Sequence, residues 1–176
     1  MSTTLHNDFQ KLEVSDSQPD QSSQSSRPPR PRRLRTSNGP KVPMPLRLPP
    51  NNGRIKFYGW PITDKFLRDY AIRYMPTEKL ARSPDFLIAG HGFTLLRWYS
   101  RISHLMLEGA IAPPGMPADY LFEDGAVQIL SVCSNERDSY RSRPAQENVD
   151  YLAKLIGRES EAPLWWDDFD HPSLYL

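Results

Sequence analysis

The chain has a single cysteine, Cys133, among 176 residues. One cysteine excludes an internal disulfide and any zinc site built on several thiolates. No apolar run approaches the ~18–20 residues that a membrane-spanning helix needs, so no membrane span is expected. The opening residues, Met1-Ser2-Thr3-Thr4-Leu5-His6-Asn7-Asp8, lack the apolar centre of a signal peptide. The expectation is an intracellular protein of the nucleus or cytoplasm, not a secreted one. Also missing are the Gly-x-Ser-x-Gly elbow, a glycine loop ending in Lys-Ser/Thr, Gly-x-Gly-x-x-Gly and His-Glu-x-x-His. These absences remove the commonest signatures of serine hydrolases, nucleotide hydrolases, dinucleotide enzymes and zinc peptidases, and no cofactor is implied.

Proline, by contrast, is abundant. Its 18 residues are about twice the usual ~5%, and nine of them fall in residues 1–53. The same segment holds 8 Lys+Arg and 4 Asp+Glu, a net of +4, whereas residues 54–176 hold 14 and 17, a net of −3. No aromatic residue stands between Phe9 and Phe57. A stretch so poor in apolar area cannot offset an ordering cost of ~1–2 kcal/mol per residue. Residues 1–53 are therefore expected to be a disordered Arg/Pro/Ser-rich tail with polyproline-II bias.

Residues 54–176 carry every tryptophan, every tyrosine and six of the seven phenylalanines. With a mass of ~14 kDa they would bury roughly two-thirds of their unfolded surface, enough for one self-sufficient core. The pattern predicts a compact α+β domain of about three helices and a short β-sheet. Residues 54–58 read as a strand stopped by Gly59 and Pro61. Thr63 or Asp64 caps a helix that ends before Pro76. Gly90-His91-Gly92 reads as a break after the short apolar run at 86–89, and the spacing of Leu95, Trp98, Tyr99, Ile102 and Leu105 predicts a helix over 93–106. Leu105-Met106-Leu107 is equally compatible with a strand. Glu123-Asp124-Gly125 between Tyr120-Leu121-Phe122 and 126–133 is a hairpin signal, and the second arm, apolar on both faces, should be central. A last helix opens at Pro144 and stops at Gly157, with an Asp150–Lys154 pair on its outer side. The aromatic end from Pro163 should pack as a strap.

Three candidates for chemistry stand out. Cys133 could act as a nucleophile with His91 or His104 as base, because that chemistry needs a thiolate beside an imidazole. The plainer reading is a buried, inert thiol on the side of the strand shared with Val127 and Ile129, with His104 solvated. Gly90-His91-Gly92 before a helix could cradle an anion, although glycines around a histidine also simply turn a chain. Asp167, Asp168, Asp170 and His171 cluster, but neighbouring carboxylates do not converge in a regular element, so a solvated acidic surface is expected and no metal.

The most specific motif is Pro28-Pro29-Arg30-Pro31-Arg32-Arg33. It fits Pro-x-x-Pro-x-Arg, in which an SH3-type groove takes two prolines between aromatics and an acidic pocket takes the arginine. Arg27 to Arg35 also meet the description of a basic import patch or a phosphate-binding arm. Arg27, Pro28, Arg30, Pro31, Arg32, Arg33 and Arg35 are thus the candidate partner- or anion-binding residues. A solvated linker made soluble by charge is the alternative.

Tyr58-Gly59-Trp60-Pro61-Ile62-Thr63 ahead of a helix, the strand ending Val132-Cys133-Ser134-Asn135, and Pro163-Leu164-Trp165-Trp166 after the late helix together resemble a loose group of uncharacterised small fungal proteins. A Tyr-Gly-x-x-Ile-Thr opening and a Pro-x-Trp-Tyr ending recur in that group, and Trp166 here stands where tyrosine is usual. The resemblance covers positions across 57–166 and implies a single compact domain without an assigned activity.

The reading that follows is a non-enzymatic intracellular interaction protein that engages a protein partner, an import receptor or an anion through its Pro/Arg tail. Two alternatives remain open: a small Cys/His-dependent or anion-handling enzyme, and a nucleic-acid-associated protein that binds through the arginines.

Overall fold

The computed structural model describes residues 28–35, 43–50 and 52–170. The expected disorder of residues 1–27 and 36–42, the candidate Arg27, and the acidic cluster's His171 lie outside the described residues.

The domain is α+β, as its pattern predicts. Four antiparallel strands, β1 (Lys56–Pro61), β2 (Met106–Ile111), β3 (Ala126–Ser134) and β4 (Leu164–Asp167), form one sheet in the order β2-β3-β1-β4. Three longer helices, α1 (Asp64–Tyr74), α3 (Ile88–Ser100) and α5 (Gln146–Leu155), are accompanied by the one-turn helices α2 (Thr77–Ala81) and α4 (Arg137–Arg141). The main core joins Leu67 and Tyr70 of α1, Leu96 and Tyr99 of α3, and Val149 and Leu152 of α5 to Leu130 and Val132 of β3. Val127 and Ile129 alternate with these onto the opposite sheet face, where they meet Ala110 and Trp166 in a smaller cluster.

β3 is central, as its unbroken apolar run requires. It is buried along its length except for half-buried Gln128, and it pairs with β1 on one side and β2 on the other. β1 continues through Gly59 instead of stopping there. A β-carbon at Gly59 would overlap the main chain of Leu130, so the glycine allows two strands to approach where the register shifts between Tyr58 and Gly59. The bulge also disturbs side-chain alternation. Cys133 accordingly joins the main core with Leu130 and Val132, not the Val127 and Ile129 side expected from strict alternation.

α1 starts where the sequence places it. Thr63 is the N-cap and its hydroxyl accepts a bond from Phe66 N–H at 3.1 Å, while Met75, held before Pro76, ends the helix. α3 differs from expectation. It runs over 88–100, so Gly90-His91-Gly92 is helical and not a break. A β-carbon at Gly92 would overlap the carbonyl of Leu67, and close approach of α1 is what the glycine permits. Arg101 then adopts a left-handed conformation, φ 58°, which ends α3 six residues early. The freed segment supplies β2, the strand alternative at Leu105-Met106-Leu107.

The Asp-Gly hairpin is reduced to its turn. Gly125 has φ 82° and Phe122 N–H bonds to Ala126 C=O at 2.9 Å, but the first arm contributes one bridge, Leu121 to Val127, because 118–120 coils into a 3-10 turn. β2 takes the place the hairpin arm was expected to fill. α5 begins one residue beyond Ala145 and closes at Gly157, φ 72°. On its outer side Asp150 accepts a bond from Gln146 at 2.7 Å. The aromatic end is an edge strand: β4 pairs with β1, and Lys56 bonds Asp167 at 2.5 Å.

The described parts of the tail contain no helix or strand, yet they lie on the domain. Met44 is 2% exposed and belongs to the main core. Its N–H bonds to Pro144 C=O at 2.9 Å, and its own carbonyl accepts from Arg143 Nε at 2.8 Å. The Leu46 carbonyl accepts from the Tyr140 hydroxyl, and the Arg47 carbonyl from Trp165 Nε1 at 3.3 Å. The packed body thus extends N-terminal of the expected boundary at 53/54. The physical reason is that this stretch contributes Met44, half-buried Leu46 and a row of main-chain carbonyls, a contribution that average composition does not register.

Candidate functional site

Pro28 to Arg35 lie against the helical layer. The Leu34 N–H bonds to Tyr99 C=O at 3.0 Å, the Arg33 Nε to Trp98 C=O at 3.2 Å, and the Tyr151 hydroxyl to the Arg32 carbonyl. The acceptors at Trp98 and Tyr99 exist because the last carbonyls of a helix have no partner within it. Arg33 also stacks over the Trp98 ring with 4.9 Å from guanidinium to centroid. These contacts fix the segment's backbone while Pro28, Pro29, Arg30, Arg32, Arg33 and Arg35 stay exposed and Pro31 is half-buried.

Beneath this segment lies a groove of about 590 Å³ between α1, α2 and α3. Its apolar walls include Tyr74, Met75, Leu95 and Trp98. Trp98, expected on the buried stripe, is 51% exposed and forms an open wall of this groove. It stands edge-on to Tyr99 with centroids 5.0 Å apart. Burial pushes the Tyr99 hydroxyl above its ordinary pKa, and Arg30 pulls it back. His91 reaches the same groove and its Nε2 lies 3.0 Å from Ser83 Oγ.

The three enzyme candidates are not brought together. His91 belongs to the groove, whereas His104 and Cys133 line a separate cavity of about 330 Å³ on the β2–β3 side, with Glu108 and Ser131. His104 is exposed at its edge, as expected. Cys133 is 4% exposed, and burial pushes its thiol up to about 12 despite the opposing influence of Arg143. No hydrogen bond joins that thiol to His104 among the described residues. Burial also lifts the Glu108 carboxyl above its ordinary value, with repulsion from Asp168 and Glu136 adding to it. A thiol of this kind is protonated at neutral pH and is a weak nucleophile. Among the described residues, no group of three or more His, Cys, Asp or Glu is placed to hold a metal ion.

Gly90-His91-Gly92 forms no phosphate cradle, because those residues are inside the helix. Conversely, the sequence did not mark Tyr74, Trp98, Tyr99 or Tyr151 as partners of the arginine segment. The one available signal was Trp98, a large aromatic at the margin of the apolar stripe beside Arg97. No helix of the described residues is long and apolar enough to cross a membrane. Comparison of the chain with family models, with curated proteins and with solved structures gives no match.

Proposed function

We propose that the chain is a non-enzymatic interaction protein acting inside the cell, in the nucleus or cytoplasm, and that residues 27–35 form its contact segment. The observation that supports this is the display of Arg30, Arg32, Arg33 and Arg35 on a backbone anchored at Tyr99 and Tyr151. Anchoring lowers the ordering cost that a free basic strand would meet on binding. It also ranks the possible readers. An SH3-type groove must take both Pro31 and Arg33, and here Pro31 is half-buried and Arg33 is stacked on Trp98. An acidic protein surface, such as an import receptor presents, needs only the exposed guanidiniums, so we favour an acidic protein partner.

The high thiol pKa of Cys133 and the separation of His91 from it weigh against the Cys/His enzyme. Deleting residues 27–35 is expected to abolish partner recovery and to shift the protein's localisation. Unchanged recovery and localisation would overturn the reading. Nucleic-acid binding is the competing outcome, and it would show as affinity for duplex DNA or RNA that falls steeply between low and moderate salt.

A further inference from the structure

The groove under the arginine segment is larger than that segment fills. Its volume of about 590 Å³ lies in the range of ~300–1,000 Å³ typical of small-molecule sites. Its floor is apolar and aromatic, while Arg30, Arg33, Lys79 and His91 stand around it. No aspartate or glutamate is among its described lining residues. Arg30, Arg33 and Lys79 form no ion pair with a carboxylate among the described residues. Basic side chains gathered over an apolar floor leave charge uncompensated, and an anion with an apolar body neutralises it while covering the floor. A neutral apolar ligand would use the floor and leave the cations unmatched. A purely ionic one would leave Trp98 and Leu95 in water.

We infer that this groove binds a free amphipathic organic anion, with the acidic head among Arg30, Arg33 and Lys79 and the apolar body against Tyr74, Leu95 and Trp98. The inference goes beyond the interaction reading and does not depend on it. The tail arginines here act as a roof over a ligand, whatever they present outward.

Laurate, kept below its micelle concentration, is a suitable probe, with dodecanol as its uncharged counterpart. Binding is read by calorimetry and by tryptophan fluorescence, to which Trp98 contributes. The full chain is expected to bind one laurate saturably and dodecanol about tenfold or more weakly, the discrimination expected of a charge-assisted contact. The double variant Arg30→Gln/Arg33→Gln, at two exposed positions, should lose about tenfold for laurate and little for dodecanol. Thr94→Trp places bulk at an exposed lining position and should abolish both without altering the melting transition or partner recovery through residues 27–35. Absence of saturable laurate binding would overturn the inference. So would equal affinity for laurate and dodecanol, insensitivity to the double variant, or association only with phosphatidylserine vesicles, which would indicate a membrane surface.

Discussion

Gly92→Ala offers the sharpest check on how α1 and α3 are packed. In an exposed helix interior the change should stabilise by about 1 kcal/mol, because alanine lowers the entropy of the unfolded chain. At Gly92 the new methyl would overlap the Leu67 carbonyl, an atom of the main chain that no rotamer change can move aside. Relief requires the two helices to separate, and overpacking of this kind typically costs ~1–3 kcal/mol. A β-carbon only 2.0 Å from the Leu67 oxygen puts this site in the upper part of that range, so a net loss of up to about 2 kcal/mol is expected. Gly90 is the internal control. It lies in the same helix, and nothing stands within 4 Å of where its β-carbon would be, so Gly90→Ala should gain up to about 1 kcal/mol. The two variants should therefore lie on opposite sides of the parent in urea denaturation followed by circular dichroism, with unchanged slope. If Gly92→Ala proves as stable as Gly90→Ala, the helices do not meet at this glycine, and the loop reading of Gly90-His91-Gly92 returns.

Four further outcomes follow from the packing. A disulfide reagent added to the native protein at neutral pH should react with Cys133 only at the rate of unfolding, and prompt stoichiometric labelling would refute its burial. Because folding raises that thiol from 9.0 to about 12, its contribution to stability is complete below pH 9 and is lost as pH rises towards 12; the stability difference between the parent and Cys133→Ala should shrink over that interval. Met44→Ala should cost ~2–4 kcal/mol, and the fragment 54–176 should be at least that much less stable than 43–176 in chemical denaturation; equal stability would remove residues 43–50 from the folded body. A double-mutant cycle between Arg33→Ala and Trp98→Ala should give a coupling of ~0.5–1 kcal/mol for an exposed cation–π pair, and a coupling of zero would remove the stacking contact.

What the sequence showed correctly was what depends on local chemistry. Thr63 caps α1, Pro76 follows its end, Gly157 closes α5, and the doubly apolar run of 126–133 lies at the centre of the sheet. The errors fall where a distant main chain decides the outcome. Glycine at 59 and 92 looks like a terminator when read alone, and both positions instead let another backbone come within contact distance. The end of α3 is set by Arg101 in a left-handed conformation, a residue type that gives no warning of it. The wheel therefore ran on through Leu105, whose burial at 1% is real but belongs to the loop leading into β2.

The same reasoning explains why the candidate site was half legible. Composition identified Arg27 to Arg35 as a basic, proline-rich stretch of the tail, and that remains their chemical character. What composition cannot register is that a segment with few apolar side chains can still be held through its backbone, since each non-proline peptide offers a donor and an acceptor whatever its side chain. α3 ends with open carbonyls at Trp98 and Tyr99, and the tail supplies Leu34 N–H and Arg33 Nε to them. Proline assists, because it has no N–H of its own to satisfy and enters the contact already extended. The residues that make the tail look unpackable to a hydrophobicity argument are thus suited to lying along a helix end, and the arginines they carry are brought to the groove by that fit.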